Sequence, residues 1–154
     1  LGLTGYSYGG FMSSWIVGHD HRFSAAVVGA PVTNLATFYG TSDIGVRFGE
    51  VEVGGTREEV LDAYRKHSPL TYVYNVQTPV LLLHGEEDIR CPLEQSEQFF
   101  VALKRQGKDV EFVRFPGESH GLTSEGHPRM REEYLARTLG WFEKYIGPGV
   151  RASA

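Results

Sequence analysis

One cysteine, Cys91, stands in 154 residues. It excludes an internal disulfide and fits a reducing compartment, so a cytoplasmic location is the expectation. No apolar run approaches the roughly 20 residues of a membrane span. The N-terminus lacks a signal peptide's basic start and an initiating methionine, and it opens inside a strand-like segment. With no Lys/Arg cluster and a formal net charge of −4, neither nucleic acid nor an anionic membrane is expected as a partner, because both need a basic face. Internal repeats and low-complexity segments are missing too. The His19-Asp20-His21 cluster has no third ligand at a suitable spacing, so no metal is expected. What is there is ordinary: 41% hydrophobic, 12% aromatic and 22% charged residues, the make-up of one globular domain with a core of its own.

Four apolar stretches read as short strands: Leu1–Thr4, Ala25–Gly29, Pro79–His84 and Val110–Phe115. The second and third are nearly continuous apolar runs bounded by Gly or Pro, the pattern of strands covered on both faces of a parallel sheet. Helical patterns fall at Gly9–Val17, Arg57–Lys66, Leu93–Gln106 and Pro128–Ile146. Thr56 with Glu59 forms a capping box, Pro92 suits a first helical position, and Gly107 and Gly147 stand where helices stop. Strands alternating with helices predict an α/β class, a mostly parallel doubly wound sheet built from right-handed crossovers. Pro31–Gly55 reads as an irregular aromatic excursion near the carboxyl ends of the strands, and 148–154 as a loose tail.

Gly5-Tyr6-Ser7-Tyr8-Gly9 passes from the first strand straight into the first helix. A serine at such a turn has a strained backbone and an exposed hydroxyl, flanked by small residues, here Gly5 and Gly9, that relieve crowding. The backbone N–H of Tyr8 then serves as an oxyanion donor at the positive end of the helix. Alone, the motif fits a turn serine as well as a nucleophile. Its partners decide between them, because a neutral serine needs a base and the base needs an orienting acid. In this architecture the acid follows a later strand and the histidine follows the last. "GEEDIRCP" after the third strand offers Glu86, Glu87 and Asp88; "PGESHGL" after the fourth offers His120. Ser7, Asp88 and His120 are therefore the expected triad.

Each has a plainer reading: Asp88 as a turn residue, His120 as a loop histidine, Glu86 and Glu87 as solvated carboxylates. His84 closes a buried strand and would only hydrogen-bond its surroundings; His127 would contact a helix cap; His19, His21 and His67 lie near helix ends. Cys91, beside Arg90 at a helix start, is a second nucleophile on paper because its thiolate would be favoured there, but the base is already matched to Ser7 and packing in the loop is the expectation for Cys91. Phe11, Trp15, Phe38, Tyr39 and Phe48 would line an apolar pocket or, more simply, pack the core.

"GYSYGGFM", "HGEEDIRCP", "FVALKRQGKDVEFVRFPGESHGL" and "LGWFEKYI" resemble the carboxy-terminal hydrolase domain of the prolyl oligopeptidase family, in its acylaminoacyl-peptidase branch. The resemblance runs from Leu1 to about Ile146 and implies an α/β-hydrolase fold. Ser7 matches the family's nucleophile, Asp88 its acid, His120 its base and Tyr8 its backbone oxyanion donor. It further implies a cofactor-free serine peptidase that hydrolyses short or N-acylated peptides through an acyl-enzyme, in a protein with a β-propeller before the hydrolase domain. A carboxylesterase or lipase shares the same triad, and a catalytically dead domain used for binding is a third reading. Two departures stand out: the strands and the second oxyanion donor that precede the serine in the family are absent. Residues 1–147 thus read as the C-terminal portion of a catalytic domain, whose partner is the missing N-terminal part of the same polypeptide. A homo-oligomer is a further possibility, and little activity is expected of the segment alone.

Overall fold

The computed structural model describes residues 1–147; the tail expected at 148–154 lies outside them. Four strands, β1 (Gly2–Tyr6), β2 (Ala25–Gly29), β3 (Val80–Gly85) and β4 (Val110–Phe115), pair in that order and all in parallel. Side chains alternate across β2, so Ala26 and Val28 enter one core and Ala25 and Val27 the other. The first core is closed by Val17 of α1 (Tyr8–Val17) and by Phe99 and Leu103 of α5 (Glu94–Arg105). The second is closed by Tyr134 and Trp141 of α6 (Pro128–Ile146). This is the three-layer α/β arrangement that the apolar runs at 25–29 and 79–84 require, since both of those strands are buried on both faces.

β1 runs two residues past its expected end at Thr4, because pairing with β2 continues through Gly5 with Val28 and Tyr6 with Gly29. The excursion expected at 31–55 is instead largely helical: α2 (Leu35–Thr41) and α3 (Gly45–Val53). Its glycines hid this. Gly45 and Gly49 are packing positions rather than turns, since a Cβ at the first would strike the backbone of Phe38 and Tyr39 and at the second the ring of Tyr64. Asn34 caps α2 by accepting from the N–H groups of Ala36 and Thr37. The capping box at Thr56 and Glu59 forms, with the Thr56 N–H donating to Glu59 Oε2 at 3.2 Å and the Glu59 N–H to Thr56 Oγ1 at 3.3 Å. It closes only one turn, however, and α4 begins at Leu61 and ends at Lys66. Between them Val60 leaves helical geometry and packs on a third core of Phe11, Leu35, Phe38, Tyr64 and Cys91. A 3-10 helix, Pro69–Asn75, which the sequence pattern did not announce, leads into β3.

Candidate active site

One residue separates β1 from α1, and it is Ser7, held at φ 61° and ψ −117°. Its N–H donates to the Gly29 carbonyl at 3.0 Å and its own carbonyl accepts the first helical N–H, from Phe11, at 2.9 Å. A positive φ in a residue with a Cβ costs on the order of 1–3 kcal/mol and persists only where the surroundings enforce it. Here the enforcement is close packing: a Cβ on Gly5 would overlap the carbonyl of Gly9, and one on Gly10 would overlap that of Gly29. The relief expected of Gly9 falls to Gly10 instead, because a Cβ at Gly9 meets nothing within 4 Å. Tyr8 is the first residue of α1. Its backbone N–H has no acceptor within the helix and lies at the helix's positive end.

Asp88 follows β3 and His120 follows β4, and the two loops are tied together. The Glu86 N–H donates to the Phe115 carbonyl and the Glu87 N–H to that of Glu118. Gly85 is what lets the loops approach, since a Cβ there would run into the Glu118 carbonyl. The result joins residues from three strand ends. His120 Nε2 lies 2.8 Å from Ser7 Oγ and Nδ1 lies 2.7 Å from Asp88 Oδ2. Glu86 pairs with Arg114 and Glu87 is exposed, so of the three carboxylates in that loop Asp88 alone reaches the histidine.

The Asp88 carboxyl is buried and well held. Oδ1 accepts the N–H groups of Arg90 at 2.9 Å and Cys91 at 2.8 Å, while Oδ2 faces His120 and, at 3.5 Å, His84 Nε2. Burial is the largest influence and pushes the carboxyl upward. The hydrogen bonds from His120, His84 and the Cys91 N–H together outweigh it and hold the pKa at about 2. A folded-state value below the unfolded 3.8 means that the carboxylate stabilises the fold above about pH 4 and loses that contribution as pH falls toward 2. Urea unfolding of wild type and Asp88→Asn across pH 2–6 is expected to show a wild-type advantage of about 2 kcal/mol near pH 6 that vanishes at the acid end. An advantage independent of pH would contradict it.

Tyr6 and His84 support the site without having been singled out for it. The Tyr6 hydroxyl donates to the His120 carbonyl at 2.9 Å, and its ring lies 5.4 Å from the imidazole. Burial, with the Asp88 charge second, pushes that phenol well above its ordinary pKa, so it stays a donor. Its place directly before the serine was the only clue in the sequence. His84 is fully buried at the end of β3, bonded through Nδ1 to Ser96 and through Nε2 to the Cys91 carbonyl, which anchors the 88–91 turn.

Cys91 packs in the loop and is no rival nucleophile. Arg90 forks onto Asp43 at 2.8 and 3.1 Å rather than toward the thiol. Burial and the Asp88 charge push the Cys91 thiol up to about 12, against smaller opposite effects of Ser7 and Arg90. Such a thiol packs; it does not attack. His127 does cap α6, accepting the Arg129 N–H, and His19 stacks on Trp15 at 4.1 Å. Phe38 is buried in the third core, with Tyr39 and Phe48 packed against it. Phe11 belongs to that core as well, and with Trp15 it lines a cavity beside Tyr8. Among the described residues no three His, Cys, Asp or Glu side chains gather as metal ligands, and no helix is long and apolar enough to cross a membrane.

The comparisons with known proteins agree on one family. Residues 1–149 match the model of the prolyl oligopeptidase family. An uncharacterised peptidase of Bacillus subtilis, YuxL, is 48% identical over 146 residues, which are 95% of this chain and 22% of that protein. Dipeptidyl-peptidase 5 of Porphyromonas gingivalis is 32% identical over 95% of this chain and 22% of its own. Among solved structures, the acylaminoacyl peptidase of Pyrococcus horikoshii superposes with a TM-score of 0.90 at 37% identity, covering 99% of this chain and 25% of that one. The chain thus spans about a fifth to a quarter of the length of these relatives.

Proposed function

The chain belongs to the prolyl oligopeptidase family, and from that premise we propose that it carries the catalytic triad of a serine peptidase acting on short or N-acylated peptides. The observation that carries the reading is the continuous relay from Ser7 Oγ through His120 to Asp88, with both hydrogen bonds under 3 Å. In the proposed reaction Ser7 Oγ attacks the peptide carbonyl as His120 Nε2 takes its proton. Asp88 holds Nδ1 protonated and stabilises the imidazolium that forms. The Tyr8 N–H receives the oxyanion, and the tetrahedral intermediate collapses when His120 protonates the leaving amine. Water then repeats the steps on the acyl-enzyme. The strained turn contributes by fixing the hydroxyl at the helix N-terminus before substrate arrives, so little reorganisation is left for the transition state.

One N–H is half of an ordinary oxyanion hole. We propose that the second donor, and the strand that covers the free edge of β1, come from polypeptide outside residues 1–154, in keeping with the greater length of the relatives. The test compares residues 1–154 alone with the whole polypeptide on an acylated peptide amide, the matched simple ester and the same peptide with a free amino terminus. The whole polypeptide is expected to hydrolyse the amide and to react with a fluorophosphonate at Ser7, and the segment alone to turn over little. Hydrolysis of the ester alone would favour a carboxylesterase, and robust turnover by the isolated segment would overturn the need for an outside donor.

A further inference from the structure

A second histidine stands behind the proposed acid. His84, near the end of β3, and Ser96, on α5, are both fully buried. His84 Nε2 lies 2.7 Å from the Cys91 carbonyl, and His84 Nδ1 lies 2.7 Å from Ser96 Oγ. Resting on the peptidase reading above, we propose that His84, held by Ser96, is a positioning residue for the proposed triad: it fixes the Cys91 main chain and through it the direction in which Asp88 Oδ2 points.

The proton positions on His84 are set by its partners. A carbonyl only accepts, so Nε2 donates to Cys91 and Nδ1 is left to accept the Ser96 hydroxyl. Ser96 therefore selects the tautomer that the carbonyl needs. The same Nε2–H passes Asp88 Oδ2 at 3.5 Å, long for a hydrogen bond, and with His120 and the Cys91 N–H it helps to hold the Asp88 carboxyl down.

The closer route runs through the main chain. Cys91 is held at both of its polar backbone groups, the N–H by Asp88 Oδ1 at 2.8 Å and the carbonyl by His84. The Arg90 N–H adds a second bond to Oδ1 at 2.9 Å. With Oδ1 tied to the turn in this way, the other oxygen is aimed at His120 Nδ1, 2.7 Å away. From α5 to the nucleophile the contacts run unbroken through Ser96, His84, Cys91, Asp88, His120 and Ser7, each 2.7–2.8 Å from the next. A side chain that only filled the space behind the turn would need no nitrogens there, and burying an imidazole is costly unless both are bonded. Removing the donor leaves the buried Cys91 carbonyl unpaired. The turn then shifts to find another partner and carries Asp88 with it.

The experiment uses the whole polypeptide that carries this chain. His84→Gln places its amide nitrogen near the position of Nε2 and keeps a donor for Cys91. His84→Asn reaches only to the position of Nδ1 and offers Cys91 nothing. On an acylated peptide amide, His84→Asn is expected to lower kcat by about 100-fold, the cost of a catalytic group misplaced by about 1 Å, with KM nearly unchanged because His84 lies behind the acid. His84→Gln should recover most of that loss. Ser96→Ala keeps the ring but frees its tautomer, and should fall between the two. In an Asp88→Asn background His84→Asn should add little, since residues that act as a unit are not additive, whereas a loss of folded protein would lower the rate equally in both backgrounds. Equal falls in His84→Gln and His84→Asn, or the full loss repeated in Asp88→Asn, would overturn the proposal. Should wild type not hydrolyse the amide, the peptidase reading fails. The downfield proton resonance of the His120 Nδ1–H, which needs no turnover, then decides: kept in His84→Gln and lost in His84→Asn, it supports the role of His84, and alike in both it overturns it.

Discussion

Ser7→Ala, made in the whole polypeptide, is expected to lower kcat on a peptide amide by on the order of 10⁴- to 10⁶-fold while the fold survives. The change removes one atom, the Oγ that His120 Nε2 faces at 2.8 Å. His120 is partly open to solvent, its side chain 26% exposed, so water replaces the lost partner and no buried nitrogen is left unpaired. Stability should move by no more than about 0.5 kcal/mol, as for other changes that leave the core intact. The backbone at φ 61° is as strained for alanine as for serine, whereas glycine adopts that region freely. Ser7→Gly is therefore a second control: equally inactive, but more stable than Ser7→Ala. Rates measured with purified variants, with thermal unfolding alongside, check both halves. Retention of activity in Ser7→Ala would remove Ser7 as nucleophile.

Asp88→Asn is expected to cost about 10⁴-fold in kcat, through the tautomer of His120 rather than through loss of structure. The argument follows from which oxygen does what. Oδ1 accepts the N–H groups of Arg90 and Cys91, and both remain if the asparagine oxygen takes that position. The amide nitrogen is then forced into the Oδ2 position, facing His120 Nδ1 at about the present 2.7 Å. Two donors cannot face each other, so the imidazole must carry its proton on Nε2, where it can no longer accept one from Ser7. A steep fall in kcat with a retained fold is the expected outcome, and a neutron or NMR assignment of the His120 proton to Nε2 would identify the cause. An Asp88→Asn variant within tenfold of wild type would show that the orientation of His120 comes from elsewhere. Tyr6, which bonds the His120 main chain, is the next residue to consider in that case.

Much of this was legible in the amino-acid sequence because its signals are local. The doubly buried strands at 25–29 and 79–84 are apolar on successive residues, and such a run has few other homes. α6 was visible from Pro128 to Ile146 because its start is marked by proline and its end by Gly147, at φ 86°. The order serine, acid, histidine followed from the order of strands, since each candidate stands just past a strand's carboxyl end. The helices at 35–41 and 45–53 were not legible. Gly45 and Gly49 serve close packing against Phe38, Tyr39 and Tyr64, and sequence alone does not separate that use from a turn.

What the sequence determined by itself, then, is the class of fold, the order of its strands and the residue types available at their ends. Only the tertiary structure decided which of these meet. It selected Asp88 over Glu86 and Glu87, turned Arg90 toward Asp43 and left Cys91 a buried thiol. It moved the indispensable second glycine from Gly9 to Gly10 and brought Tyr6 onto the main chain of a residue 114 positions away. The physical reason is common to all of them. Hydrogen bonds and van der Waals overlap act over about 3–4 Å, and those distances between remote residues exist only after the sheet has set its register and the helices have packed on it.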